Sequence, residues 1–386
     1  MQLPALDTRK SVTERWSATI GAIDIVFGPG TRLELPDLVL NAGFSRPLLV
    51  TDPGVRATGY VDDVTERVRA AGADPAIFDD VIQNPTTATV AAGVEFARGH
   101  DPDLIIGFGG GSAMDAAKGI NFVHTNGGAM EDYEGTGRAA QPMLPSFGVP
   151  TTAGTGSEGQ SYALISRVGD QRKMACGDPG ARFRVAILDP ELLSTTPRAV
   201  RFVTGIDAIA HAVESHVSTR ANPVSRLFSK QAWERLSRSF IASLAPDADL
   251  AVRGDMLLGA HLAGAAIEAS MLGAAHACAN PLTARYGIIH GLAVGLLLPH
   301  VVAYNLAAAS NEYAELADGA LAEGDLPDLL TRLFAAGGVP LRLRDHGVAL
   351  ESLPALASTA ATQWTAQFNP RPVQETDLHA IYESAY

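Results

Sequence analysis

Four side chains in the second half of the sequence have the types and spacing to hold one metal ion. Asp207 and His211 stand four apart in Gly205-Ile206-Asp207-Ala208-Ile209-Ala210-His211-Ala212-Val213-Glu214. That stretch reads as helix, so both side chains project from one face about one turn apart. His276 and His290 follow on later segments and would close the shell. One carboxylate with three imidazoles is a mixed hard and borderline donor set suited to Fe²⁺ or Zn²⁺, with a position left open for a substrate oxygen. Taken by themselves, Asp207 and His211 read equally well as a surface ion pair.

A second element lies far upstream. The apolar run Leu104-Ile105-Ile106-Gly107-Phe108 leads into Gly109-Gly110-Gly111-Ser112 and then an Ala-rich helical pattern that carries Asp115. Glycines let backbone N–H groups approach an anion, and a helix N-terminus favours negative charge. By composition this is a phosphate cradle, although it is not spelled G-x-G-x-x-G. Asp52 ends another apolar run, Arg46-Pro47-Leu48-Leu49-Val50-Thr51-Asp52. One reading is a carboxylate that accepts hydrogen bonds from an adenosine ribose and repels a 2′-phosphate, favouring NAD over NADP; the other is a helix or turn cap.

Positioning these groups requires alternating elements. Residues 1–18 are polar and read as irregular, and Ile23-Asp24-Ile25-Val26-Phe27 reads as a strand ended by Gly28-Pro29-Gly30. After the Asp52 strand the pattern predicts a helix over 55–71, a strand over 76–81, a turn at Asn84-Pro85-Thr86, and a helix over 89–98. Strands alternating with helices imply parallel β-α units, whose ligands bind at the carboxyl ends of the strands. Phe147-Gly148-Val149-Pro150 runs into a loop rich in hydroxyls and glycines, Thr151-Thr152-Ala153-Gly154-Thr155-Gly156-Ser157-Glu158. From about Leu192 onward helical patterns replace strands, over 202–217, 224–243, 251–271, 292–309 and 312–322, with a turn at Gly337-Gly338-Val339-Pro340-Leu341. The junction is placed near Asp189-Pro190. This predicts a parallel-sheet α/β domain over 1–189 and an all-α domain over 190–386.

The 386 residues suffice for two domains of ordinary size, and 47% hydrophobic with 18% charged residues is a globular composition. A net charge of −13 argues against nonspecific binding of nucleic acid or anionic membrane. Cys176 and Cys278 form neither a disulfide framework nor a metal motif, so a reducing cytoplasm is expected. The first ten residues show no export signal. The apolar stretch 291–298 is expected to stop at Pro299-His300, too short to span a bilayer.

Together these passages resemble the iron-containing (group III) alcohol dehydrogenase family, over nearly the whole chain from Phe27-Gly28-Pro29-Gly30 to about Asn305. The motifs that carry the resemblance are Gly109-Gly110-Gly111-Ser112-x-x-Asp115, the passage Pro150 through Glu158, Asp207-x-x-x-His211-Ala212-x-Glu214, and the pair His276 and His290. The resemblance implies an N-terminal dinucleotide-binding α/β domain and a helical C-terminal domain of the dehydroquinate synthase-like architecture. NAD(P) and a metal, Fe²⁺ or Zn²⁺, would meet between them to interconvert primary or short-chain alcohols and aldehydes. It implies Asp207, His211, His276 and His290 as metal ligands, through which they take part in catalysis. Gly109, Gly110, Gly111 and Ser112 would contact the pyrophosphate, and Asp52 would mark a preference for NAD. Asp115, Thr151, Thr152 and Thr155 would belong to the cofactor site, and Lys173 would reach the nicotinamide ribose. Members often form dimers or larger homo-oligomers.

One departure concerns the third ligand, where the family often reads His-x-x-x-His. This chain has His276-Ala277-Cys278-Ala279-Asn280, and an amide carries no proton at neutral pH. Tyr162 stands where some members have Asn. A dehydroquinate synthase-type lyase, a polyol-phosphate dehydrogenase and a reductase of acidic or phosphonate-bearing aldehydes remain alternatives, with Arg285 available to an anion. The remaining histidines, His216, His261 and His300 among them, read as packed or surface imidazoles.

Overall fold

The computed structural model describes residues 12–169, 172–317 and 325–386. Met1-to-Lys10, where no export signal is read, lies outside the described residues, as does the end of the helical pattern over 312–322. The chain forms two compact units: Met1–Thr152 with Ser157–Thr196, and Ala153–Gly156 with Pro197–Tyr386. The first runs on past the Asp189-Pro190 junction because Pro190–Thr195 is a 3-10 turn capped by Asp189, whose carboxylate accepts from the Glu191 N–H.

The first unit contains β1 (Trp16–Ile20), β2 (Ile23–Phe27), α1 (Leu35–Asn41), β3 (Pro47–Val50), α2 (Pro53–Arg56), α3 (Tyr60–Ala70), β4 (Ala76–Phe78), α4 (Thr87–His100), β5 (Leu104–Gly109), α5 (Gly111–Asn126), β6 (Gly135–Thr136), β7 (Ser146–Pro150), β8 (Tyr162–Ser166), β9 (Lys173–Gly177) and β10 (Val185–Leu188). Its main sheet has the order β1-β2-β10-β7-β5-β3-β4, parallel throughout except for the β1–β2 hairpin. A small second sheet has the order β6-β9-β8. Alternation along β5 shows why its sequence is apolar at nearly every position. Leu104, Ile106 and Phe108 pack on one face with Leu35 and Val39 of α1 and Val61, Val64 and Val68 of α3. Ile105 faces the other way, towards Val90 and Val94 of α4 and Ala116, Ala117 and Ile120 of α5.

Three expectations need correction here. The N-terminal region is not irregular to residue 18, because Trp16–Ile20 forms an edge strand antiparallel to β2. Its three central residues are exposed, so no buried alternation marks it. The helix expected over 55–71 is two helices, α2 and α3, parted by Gly59 at φ 81°. The strand expected over 76–81 ends at Phe78.

The second unit contains α6 (Arg198–Val217), α7 (Pro223–Ser243), α8 (Leu250–Ala269), α9 (Ala274–Tyr286), α10 (His290–Leu316), α11 (Asp325–Ala335), α12 (Leu353–Ala361) and α13 (Glu375–Ala385), with no strand among the described residues. Pro299 does not stop α10; the helix continues through it and departs from helical geometry at Ala309 instead. Both α8 and α10 are therefore long and apolar enough to cross a membrane, but 72% and 61% of their most apolar windows are buried inside the protein.

Candidate functional site

In the first unit, three adjacent strand ends gather most of the residues expected at a nucleotide site. β3 and β7 flank β5 in parallel, with Gly109 paired to Pro150. Asp52 follows β3, Gly109 ends β5 with Gly110-to-Ser112 after it, and Thr151 and Thr152 follow β7. Asp52 is the N-cap of α2, accepting from the Val55 N–H at 3.0 Å. Its second oxygen would lie 3.4 Å from a Cβ at Gly109, and that Cβ would strike Ala113 at 2.7 Å. A Cβ at Gly110 would stand 3.3 Å from Thr152 Oγ1. Side chains are thus excluded from the turn by its neighbours, which leaves backbone facing the strand ends. No side chain caps the N-terminus of α5, the arrangement that favours a phosphate. The Thr151 N–H is spent on the Gly109 carbonyl. Ser112 Oγ accepts from the Asn84 N–H at 3.3 Å, where Asn84 adopts φ 53°.

Asp115 and Lys118 lie about one and two turns into α5. Lys118 is 1% exposed, and its ammonium donates to Ser157 O, Ser157 Oγ and Tyr162 O at 2.7, 2.9 and 2.8 Å. Ser157 Oγ in turn donates to Asp115 at 2.7 Å. Burial pushes the Asp115 carboxyl above its ordinary range, against the pull of Lys118, Ser157 and Lys173. Ser157 is legible only as part of the hydroxyl-rich loop after β7, and Lys118 has no role assigned from the sequence; its signal is a lysine three residues after Asp115 in an Ala-rich helix. Lys173 is exposed at the start of β9 and touches this group only through its charge on Asp115. Thr155 belongs to the second unit. There Gly156, at φ 59°, sits so close to α8 that a Cβ would lie 2.5 Å from the Ala260 carbonyl oxygen.

The second unit brings Asp207, His211, His276 and His290 together. α6 presents Asp207 and His211 on one face, α9 carries His276 at its third residue, and α10 begins with His290. Glycine decides how near α10 comes. A Cβ on Gly291 would lie 2.0 Å from the Val203 carbonyl oxygen and 3.3 Å from Asp207 Cβ. Asp207 Oδ1 is 3.5 Å from His211 Nε2, 3.5 Å from His276 Nε2 and 3.9 Å from His290 Nε2. Ligand atoms of Asp207, His276 and His290 all lie within 4.8 Å of one another. The His211 ring stacks on His276 with centroids 4.9 Å apart. Asp207, His211 and His276 are buried, whereas the His290 side chain is 24% exposed.

Electrostatics at this cluster are those of a cation site. Burial would raise the Asp207 carboxyl, yet the surrounding imidazoles outweigh it and hold Asp207 well below the usual carboxylate range. Burial lowers His211. For His276 burial acts in the same direction, but Glu214 and Asp207 overcome it and push the ring up to about 9. Asp207 Oδ1 and His276 Nε2 are buried with no hydrogen-bond partner. Leaving such an atom unsatisfied costs about 1–3 kcal/mol, a penalty removed by a divalent ion between them. One carboxylate oxygen and three imidazoles fit Fe²⁺ or Zn²⁺.

Glu214, three residues after His211, has no role assigned from the sequence. It meets His276 Nδ1 and the Ala275 N–H. Its signal was present, since position i+7 from Asp207 shares the same helix face. Asn280 donates to Gln363 Oε1 at 3.0 Å.

Comparison with known proteins covers both units. Residues 22–190 match the family described as iron-containing alcohol dehydrogenase, and residues 201–386 match the C-terminal family of Fe-containing alcohol dehydrogenases. The chain is 33% identical to alcohol dehydrogenase 4 of Saccharomyces cerevisiae, covering 93% of this chain and 96% of that one. It is 32% identical to the NAD-dependent methanol dehydrogenase of Bacillus methanolicus, covering 93% and 97%. Among solved structures, a 1,3-propanediol oxidoreductase superposes with a TM-score of 0.90 at 33% identity, covering 97% of this chain and all of the other.

Proposed function

This chain belongs to the iron-containing alcohol dehydrogenase family and is an oxidoreductase; from that premise we propose that it moves a hydride between NAD(H) and a primary or short-chain alcohol or the matching aldehyde. Asp207, His211, His276 and His290 would hold Fe²⁺, or Zn²⁺ in its place. Such an ion would supply Lewis acidity at the substrate oxygen, and a bound nicotinamide would supply or accept the hydride. The protein's part is to bind and orient. Asp207 brings the negative charge that the three neutral imidazoles lack, while the buried walls of α6 and α9 keep water from its Oδ1. Gly109, Gly110, Gly111 and Ser112 hold the pyrophosphate at the start of α5. Asp115 belongs to the same cofactor site, as do Thr151, Thr152 and Thr155, with Lys173 at the nicotinamide ribose. Asp52 selects NAD over NADP by accepting from the ribose hydroxyls.

The observation that carries this reading is the convergence of Nε2 of His211, His276 and His290, from three helices, on the buried and partnerless Asp207 Oδ1. Both cysteines are free and buried, in keeping with a reducing cytoplasmic setting. The test pairs elemental analysis with absorbance of reduced nicotinamide over a panel of alcohols and aldehydes. Asp207→Ala or His276→Ala lowers bound metal and turnover together, with kcat down roughly 100-fold or more, as loss of several kcal/mol of charge stabilisation requires. Full turnover in chelator-stripped protein would contradict the metal assignment.

A further inference from the structure

We infer that Glu214 is the positioning residue of this cluster: one carboxylate fixes which nitrogen of His276 is offered as a ligand and, at the same time, anchors the helix that carries it. The inference deepens the metal reading and rests on it. Asp207, His211 and Glu214 occupy positions i, i+4 and i+7 of α6, so all three face the same way. Glu214 is 4% exposed. Its Oε2 is hydrogen-bonded to His276 Nδ1, and its Oε1 accepts from the Ala275 N–H at 2.7 Å.

The second contact answers a need of α9. That helix starts behind Gly273 with no side-chain cap from its own sequence, and the first N–H groups of any helix lack partners within it. Glu214 takes the Ala275 N–H from another helix. Asn369 Oδ1 takes the Ala274 N–H at 3.2 Å and is itself locked to Asn305 by paired amide bonds of 3.0 and 2.7 Å. Gly273 leaves the space for this, since a Cβ there would lie 3.0 Å from Asn369 Oδ1 and 3.2 Å from Glu214 Oε1. A cap alone needs only one of the two carboxylate oxygens. The other is aimed at the imidazole, and a carboxylate is an acceptor only, so Nδ1 must carry the proton. With Nδ1 committed to Glu214, Nε2, 3.5 Å from Asp207 Oδ1, is the nitrogen left to offer a metal. Histidine ligands are commonly held in one tautomer by such a carboxylate.

Glu214→Gln separates the two roles. Its side chain keeps the size of Glu but turns one of the two oxygens into an NH₂ donor, so its two ends can no longer accept separately, one from the Ala275 N–H and the other from His276 Nδ1–H. The measurement is a zinc titration of metal-free protein against a competing chromophoric chelator, alongside far-UV circular dichroism and NAD binding. Zinc affinity falls roughly 10–100-fold in E214Q, recovers in part in Glu214→Asp, and both controls stay at wild-type values. Equal zinc affinity in wild type and E214Q overturns the inference. Wild type that takes up neither zinc nor ferrous iron overturns the metal reading instead, so the two failures are distinguishable. If E214Q does not fold, zinc-loaded wild type decides through long-range ¹H–¹⁵N correlation of its imidazoles. His276 protonated at Nδ1 is expected, and a ring protonated at Nε2 overturns the proposal.

Discussion

A single carboxylate can cap a helix and read a ribose at once if each oxygen has its own task, and Asp52 has that arrangement. Oδ1 is committed to the Val55 N–H at 3.0 Å, while Oδ2 points towards the glycine turn, 3.4 Å from where a Cβ on Gly109 would stand. The two readings of this residue are therefore compatible. They are also separable, because glycine at an N-cap costs only a few tenths of a kcal/mol. Asp52→Gly should leave the thermal midpoint nearly unchanged. Removing a negative charge from beside a 2′-phosphate removes a repulsion of several kcal/mol at close range. The ratio of kcat/KM with NADP to that with NAD accordingly rises about tenfold or more. An unchanged ratio would leave Asp52 a helix cap and nothing else.

Helix packing in the second unit creates a separate titrating position at His216, on α6 but clear of the Asp207 group. Its ring is fully buried, with Nδ1 2.8 Å from Ser229 Oγ of α7. The charges facing it are Arg226 and Lys230 from α7 and Glu312 and Glu315 from α10. Burial dominates and depresses the ring from 6.5 to about 4. The unfolded chain therefore takes up a proton first as the solution is acidified. The stability at stake is fully present above about pH 6.5 and is lost as pH falls towards about 4, by something on the order of 3 kcal/mol. Urea unfolding at pH 7 and pH 4.5 measures it: His216→Gln should lose less stability than wild type across that interval. Equal losses would mean that the ring is solvated in the folded state.

At this same scale lies the boundary between what the sequence discloses and what it does not. β5 and α5 are legible because a strand buried on both faces must be apolar throughout, and the glycines after it mark the turn into the helix. The edge strand β1 is not legible, since its side chains face solvent and follow no alternation. Lys118 is hidden for the opposite reason. A lysine in a helix implies a solvated face, and only the fold shows three carbonyl or hydroxyl acceptors waiting beneath it. Asp207 and His211 could be paired from their spacing. That α10 reaches them depends on Gly291 lying against the Val203 carbonyl, a contact between helices that no local pattern encodes.

In the molecule as a whole, the residues assigned to the metal all lie in the second compact unit and those assigned to the cofactor, Thr155 apart, lie in the first, so each ligand should stabilise chiefly the unit that supplies most of its contacts. Ligand present at a hundred times its dissociation constant adds about 2.7 kcal/mol to the state that holds it, enough to slow exchange of the amides it protects about 100-fold where local opening governs exchange. A metal held by the four side chains would tie together α6, α9 and α10, which are distant in sequence, and would satisfy Asp207 Oδ1 and His276 Nε2, which are otherwise buried without partners. Chelation should therefore speed hydrogen exchange in the helical segments around Asp207, His276 and His290. Segments of β3, β5 and the first turns of α5 should keep their rates. NAD added to metal-free protein should do the converse, slowing exchange from Asp52 to Val55 and from Gly109 to Lys118 without restoring the helices. Mass-spectrometric exchange on peptides from each unit reads both effects in one protein. Chelation that loosens β5 as much as α9 would show that the ion does not act through the four side chains assigned to it, because those side chains belong to the second unit alone.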